Sequence, residues 1–328
     1  MMAIPPLRPV LLRALLIAAA AASCACSPAA HVRFGAVYVD LDGTVLGTDH
    51  RVRPATVRAL ERYKACGGQV GVATGRTLEQ VKPFLADLAP TLPVVLFNGA
   101  LSVDPDSLQV RAVRYLEPKV VVKVLEAGKD DPDLIGIVVH DVEETVIDRS
   151  TEELDRELAA GLIQPSRVLE GNPSAFSGRA VKVMLLTRSG KVEGVASRIS
   201  AVVDDGSRAL VTSPRTVEVV APGVNKANAV LTALSEAGID PKQTLLFGDS
   251  GNDVEMLSTV GIGFAMGNCR PEACQAALFR IGDNGTDAIA EVIERLALLP
   301  SCPSPRPSQS EALPSQPNPI SGEAPKTE

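Results

Sequence analysis

The sequence predicts an α/β fold, a doubly wound parallel-sheet core interrupted by an inserted module of mixed α+β texture. Three observations predict it. Apolar, strand-like runs at 33–40, 69–74 and 93–97 alternate with helical spacing at 54–66 and 78–88, and near-continuous apolar strands belong to parallel sheets covered on both faces. From Leu101 to about Arg215 the runs become alternating and charged. The parallel texture then returns with 244–249 and 262–266.

Taken in order, Val37, Tyr38 and Val39 read as a buried strand that ends at Asp40. Pro54 starts a helix with Val57, Leu60 and the stem of Lys64 on one face, and Cys66-Gly67-Gly68 ends it. The strand at 69–74 ends in a hydroxyl, and Gly75-Arg76-Thr77 turns into the helix at 78–88. A third strand, 93–97, ends in Asn98-Gly99. In the insert, 135–139 and 145–148 form a hairpin around Asp141-Val142-Glu143, and the strand at 181–187 precedes a helix near 191–202. Asn225 caps a helix that begins at Lys226, with Ala227, Val230, Leu231 and Leu234 on one face. Thr286 opens the last helix, which turns Ile289, Val292, Ile293 and Leu296 inward. The tail past Pro300 is rich in Pro and Ser, a composition that cannot bury a core. The expected organisation is a leader at 1–31, a core at 32–100 and 216–299, an insert at 101–215 and a disordered tail at 300–328.

Composition excludes several functions. The 328 residues carry 39 acids against 32 bases, so no broad basic surface for nucleic acid is expected. Aromatics make up 3% with no Trp, which argues against base-stacking platforms. With three histidines, a His-built metal site is not expected. The six cysteines, at 24, 26, 66, 269, 274 and 302, lack zinc-ribbon and Cys-x-x-Cys spacing. Cys66, Cys269 and Cys274 read as small buried or half-buried thiols, with no disulfide framework.

The amino end has Arg8 and Arg13 before the apolar run 15–22, and no acid before Asp40. The run is too short to span a membrane. Three readings stand side by side: a signal peptide, whose Ala21-Ala22-Ser23-Cys24 loosely resembles a lipoprotein cleavage box; an organellar transit peptide; and an over-extended start, with Val32 as the true one.

The chemistry gathers at strand ends. Asp40 and Asp42 close the first strand, Thr74 the second, Asn98 the third and Asp249 a later one. Residues i and i+2 of a strand share a face, so Asp40 and Asp42 are expected in one cleft. Ligands of open parallel sheets bind outside the carboxyl ends of the strands. Gly248-Asp249-Ser250-Gly251-Asn252-Asp253 adds acids in a turn that enters a helix. So many carboxylates call for a hard divalent cation. Lys226 is the one cation the sequence places near this edge.

Asp40-Leu41-Asp42-Gly43-Thr44, Thr74-Gly75-Arg76, Asn98-Gly99-Ala100, Lys226 and Gly248-Asp249-Ser250-x-Asn252-Asp253 resemble, in order, the signature motifs of the haloacid dehalogenase superfamily. They most resemble its Cof-type (subfamily IIB) phosphatases. The resemblance runs from about Arg33 to Leu296; Cys274 and Leu278 depart from the subgroup's pattern. It implies a Rossmann-like core under an α/β cap of the C2 type. It also implies that Asp40 is the nucleophile, forming an aspartyl-phosphate. Asp42 would be general acid and then general base. Mg²⁺ would sit on Asp40, Asp42 (through its backbone carbonyl), Asp249 and Asp253. Thr74, Lys226 and Asn252 would hold the phosphoryl group, with backbone N–H groups near Leu41 and Gly75. The implied substrate is a small phosphorylated metabolite such as a sugar phosphate, and the family expectation is a cytoplasmic enzyme, against export or lipid anchoring through the leader. The alternatives are a non-catalytic phospho-ligand binding protein on this scaffold and a dedicated sucrose- or mannosylglycerate-phosphate phosphatase.

Overall fold

β1 (Ala36–Val39) has all four residues at 0% exposure, as a strand covered on both faces requires. The computed structural model describes residues 32–160, 163–203 and 205–302. The leader and the tail beyond Cys302 lie outside the described residues. After β1 come α1 (Pro54–Ala65), β2 (Gln69–Val72), α2 (Leu78–Leu88) and β3 (Val94–Leu96). Pro54 stands in the first turn of α1, where a missing N–H is no loss. α2 opens on a capping box between Thr77 and Gln80. The inward face of α1 is Thr56, Ala59, Leu60 and Tyr63. The predicted stripe through Val57 and Lys64 is thus rotated. Tyr63 brings more apolar surface than a lysine stem, and its hydroxyl donates to the Phe34 carbonyl at 2.6 Å. Lys64 instead donates to the Leu88 and Ala89 carbonyls at the end of α2.

The chain continues through β4 (Leu101–Val103), β5 (Val110–Val113), α3 (Pro118–Gly128), β6 (Leu134–His140), β7 (Thr145–Ile147), α4 (Glu152–Ala160) and β8 (Arg167–Val168). Next are β9 (Lys182–Thr187), α5 (Val192–Ser200), β10 (Arg208–Ser213) and β11 (Thr216–Val220). The core returns with α6 (Lys226–Glu236), β12 (Thr244–Gly248), α7 (Val254–Thr259), β13 (Ile262–Ala265), α8 (Pro271–Ala276), β14 (Phe279–Arg280) and α9 (Ala288–Val292), the last prolonged by a wide π turn over Ile293–Ala297.

The core sheet is parallel throughout, in the order β14-β13-β12-β1-β2. A parallel bridge from Ala73 to Val95 carries it on to β3. The chain winds one way from β1 and the other way from β12, so the winding reverses between these neighbours, where such folds bind ligands. Alternation along β1 divides the core. Val37 and Val39 pack with Leu60 and Tyr63 of α1 and Ile289 of α9, whereas Ala36 and Tyr38 pack with Val230 and Leu234 of α6 and Met256 of α7.

The inserted module is a six-stranded sheet, β10-β11-β9-β6-β7-β8. It contains the predicted antiparallel hairpin, β6 with β7. Its edges differ from those predicted. β4 and β5 extend β3 as a separate antiparallel sheet, so the module starts after them. β11 pairs with β9 and β10. Pro214 and Arg215 are the turn of the β10–β11 hairpin, and a boundary at 216 would cut that hairpin in two.

Two disulfides correct the reading of the cysteines as thiols. Cys66 at the end of α1 bonds to Cys302, with Cα atoms 5.7 Å apart, and Cys269 bonds to Cys274, at 5.6 Å. A bond across 236 residues leaves no mark in local spacing. No described helix is long and apolar enough to cross a membrane.

Candidate active site

The strand ends are laced together by backbone bonds. Asp40 N–H donates to the Phe247 carbonyl at 3.0 Å, Thr74 N–H to Val95 at 2.9 Å and Asn98 N–H to Thr74 at 2.9 Å. Gly43, at φ +74°, lies where any Cβ would collide with the Asp249 carboxylate. Thr44 Oγ1 donates to Asp249 Oδ1 at 2.8 Å. Leu41 is fully buried, and its carbonyl accepts from Thr44 and Leu46 N–H, closing the turn after β1.

At the centre stands Lys226, 0% exposed. Its ammonium donates to Asp40 Oδ1 at 2.6 Å and to Asp253 Oδ1 at 2.7 Å. Asn225 caps α6 by accepting from Asn228 N–H at 2.7 Å, which fixes the helix start that carries the lysine. The other Asp253 oxygen accepts from the Asp249 and Ser250 N–H groups at 3.0 and 3.1 Å. Carboxylate oxygens of Asp40, Asp249 and Asp253 lie within 4.8 Å of one another.

The electrostatics follow from crowding and burial. Loss of solvent pushes the Asp40 carboxyl well above its ordinary range; Lys226 opposes this, and Asp253 and Asp249 add to it. Asp249 is raised to about 6, by burial first and then by Asp253. Burial pulls the Lys226 ammonium down, but Asp253 and Asp40 more than offset it, leaving it raised. Three carboxylates around one ammonium leave negative charge in excess. The donors are all oxygens, which suits a hard cation such as Mg²⁺ rather than zinc.

Asp42 is not part of that cluster. It emerges 53% exposed and accepts a two-pronged contact from Arg76, Nε to Oδ2 at 2.7 Å and Nη2 to Oδ1 at 2.6 Å. Asp40 and Asp42 do border one chamber, as expected, but the turn at Leu41 brings them there rather than strand alternation, since the strand ends at Val39. The same residues correct the expectation of one cation. Arg76 and Lys182 also stand at this edge, lining one chamber with Asp40 and Asp42.

Thr74, Gly75, Asn98 and Asn252 border the same chamber as Asp40 and Asp42, a cavity of about 260 Å³. A larger cavity of about 430 Å³ adjoins it and shares Thr77, His140 and Ile163 with it. Asn98, in left-handed backbone at φ +56°, accepts from Asn252 Nδ2 at 2.8 Å and donates to Glu218 Oε2 at 2.8 Å. Glu218 in turn accepts from Lys182 Nζ at 2.6 Å. Glu218, Lys182 and His140 come from the inserted sheet and have no place in the sequence reading. Their signal was a lone ionisable residue in or closing each apolar run, Lys182 in Val181–Leu185, Glu218 in Thr216–Val220 and His140 closing Ile135–Val139. Burial and then the nearby Lys182 push His140 down to about 3.

Comparison with known proteins agrees with this architecture. Residues 37–293 match the family model of the haloacid dehalogenase-like hydrolases. The chain is 25% identical over 261 residues to the 5-amino-6-(5-phospho-D-ribitylamino)uracil phosphatase YitU of Bacillus subtilis, covering 79% of this chain and 96% of that one. It is 24% identical over 274 residues to the pyridoxal phosphate phosphatase YbhA of Escherichia coli, covering 78% and 96%. Among solved structures, a haloacid dehalogenase-like hydrolase from Bacteroides thetaiotaomicron superposes with a TM-score of 0.69 at 23% identity, over 80% of this chain and 99% of that one. A subclass IIB sugar phosphatase of the same superfamily gives 0.69 at 20%, over 79% and 97%. At these identities the solved structures speak for the fold.

Proposed function

Because the chain belongs to the haloacid dehalogenase-like hydrolases, we propose that it is a phosphatase of small phosphorylated metabolites that works through an aspartyl-phosphate on Asp40. One observation carries the reading: a buried carboxylate at the end of the central strand, held by a buried lysine and faced by two further acids.

Lys226 occupies Asp40 Oδ1, so attack on phosphorus falls to the other oxygen. The new Asp40–phosphorus bond forms as the bond to the leaving oxygen breaks. Asp42 gives that alcohol its proton. It later takes a proton from the water that cleaves the acyl phosphate, which releases phosphate and restores Asp40. Asp42 must leave the Arg76 fork to do this. Thr74, Gly75 N–H, Lys226, Asn252 and the backbone N–H groups near Leu41 receive the phosphoryl oxygens, stabilising charge as it spreads in the transition state. Asp40, the Asp42 carbonyl, Asp249 and Asp253 would hold Mg²⁺, which when bound offsets the repulsion between a phosphate dianion and a carboxylate. The adjoining cavity under the inserted sheet receives the leaving group, and its walls choose the substrate.

The test is a panel of phosphomonoesters, assayed with Mg²⁺ and with chelator. The reading expects turnover of at least one metabolite phosphate, abolished by chelator. No turnover across the panel would sink it.

Two disulfides also favour an oxidising compartment, since such bonds are rare in the cytosol of ordinary-temperature cells. A signal peptide in the leader is the reading that agrees with them. Fractionation of the native host with alkylation of free thiols tests this. Exported protein should show Cys66, Cys269, Cys274 and Cys302 protected; cytosolic protein with alkylated thiols contradicts export.

A further inference from the structure

The inserted sheet sends one ion pair into the phosphoryl chamber. Lys182 on β9 and Glu218 on β11 have side chains only 5% and 8% exposed, with their charges 2.6 Å apart. A buried ion pair is an expensive way to join two strands, because well-packed apolar residues of similar volume usually serve stability as well or better. Its contacts reach beyond the sheet. Glu218 Oε2 accepts from Asn98 Nδ2, and Lys182 Nζ donates to the Gly75 carbonyl at 3.3 Å.

We propose that Glu218 and Lys182 are positioning residues that set the phosphoryl-binding groups of the core from the inserted sheet, so that the grip on phosphate forms only when that sheet is seated. The inference rests on the phosphatase reading.

Donor and acceptor chemistry gives each contact a direction. An ionised carboxylate only accepts and an ammonium only donates. Glu218 therefore forces Asn98 to present its NH₂, which turns Asn98 Oδ1 towards Asn252 Nδ2 at 2.8 Å. A flipped Asn98 would set its carbonyl against a carboxylate. Ser250 Oγ donates to the Asn252 carbonyl oxygen at 2.5 Å and fixes the other end of that amide. One Asn252 N–H goes to Asn98, and its second remains for a ligand oxygen. The lysine branch works through a peptide plane. The Gly75 carbonyl it holds shares that plane with the Arg76 N–H, which donates to Thr74 Oγ1 at 3.2 Å. The pair thus reaches two candidate phosphoryl ligands, Asn252 and Thr74, by separate routes, without touching the phosphoryl group itself.

The experiment compares the wild type, Glu218→Gln, the double variant Lys182→Met/Glu218→Leu, Asn98→Ala, and Asn98→Ala combined with Glu218→Gln. The apolar double variant keeps the volume and leaves no orphaned charge, so it retains the fold even if Glu218→Gln does not. Readouts are kcat, KM, inhibition by orthovanadate as a transition-state mimic, and the thermal midpoint. The proposal expects kcat to fall about 10- to 100-fold in the double variant. Vanadate inhibition should weaken in step, while KM and the midpoint move little. Glu218→Gln should add almost nothing once Asn98→Ala is present. A folded double variant with wild-type kcat and vanadate inhibition overturns the proposal, as do losses from Glu218→Gln and Asn98→Ala that simply multiply. A wild type without phosphomonoesterase activity overturns the phosphatase reading itself, and this inference with it.

Discussion

Asp40 and Asp42 stand two residues apart and live in different environments. Asp40 is buried against Lys226, and Asp42 reaches solvent in the fork of Arg76. That asymmetry suits a nucleophile beside a proton carrier, and the two roles are proposed on that ground. The acids themselves were legible in the sequence as polar groups closing apolar runs. The Arg76 partnership was not, because it depends on how the turn at Leu41 re-aims the chain. His140 shows what a single residue can do to stability. Its folded form resists protonation down to about pH 3, whereas an unfolded histidine takes a proton near 6.5. Above that value the residue is neutral in both states. As pH falls below it, the unfolded chain alone binds the proton and stability is lost, by up to roughly 1.4 kcal/mol per pH unit. Denaturant titrations between pH 4.5 and 7 should therefore give a shallower pH slope for His140→Gln than for the wild type. Identical slopes would contradict the neutral, buried histidine.

At the scale of elements, long periodic segments were readable. The helix at 78–88 stands at its predicted bounds, and the helix at Lys226 starts where its Asn225 cap predicted. β8 and β14, at two residues each, are too short to carry a period and exist through their neighbours. The insert's edges were hidden for a related reason. β11 looks like a returning core strand, and only its pairing with β9 and β10 assigns it to the inserted sheet. The Cys66–Cys302 bond ties the end of α1 to the segment after the π turn, where Arg62 also donates to the Cys302 carbonyl at 3.2 Å. By loop entropy a closure spanning this much chain stabilises by up to ~5 kcal/mol, against ~2 for the short Cys269–Cys274 loop. Cys302→Ser should accordingly lower the thermal midpoint by several degrees more than Cys274→Ser does. An equal or reversed order would show that the long bond does not constrain the unfolded chain.

For the molecule as a whole, the reversal of winding between β1 and β12 places the acids at the middle of the sheet edge, and the inserted sheet covers them. The core half of this arrangement was open to sequence reading because each strand end carries its own polar residue. The other half was closed to it because Lys182 and Glu218 meet Gly75 and Asn98 only in three dimensions. The central claim is covalent chemistry on Asp40 with Asp42 moving protons. It is tested most directly by rapid-quench kinetics of Asp42→Asn with p-nitrophenyl phosphate and Mg²⁺. This ester's leaving group departs without acid help, so the first step survives the substitution and the second, which needs a base, stalls. The expected result is a burst of nitrophenolate matching the active-site concentration, with acid-stable phosphate on Asp40 and none in the Asp40→Asn/Asp42→Asn pair. Steady turnover with no burst and no phosphate on Asp40 would contradict it.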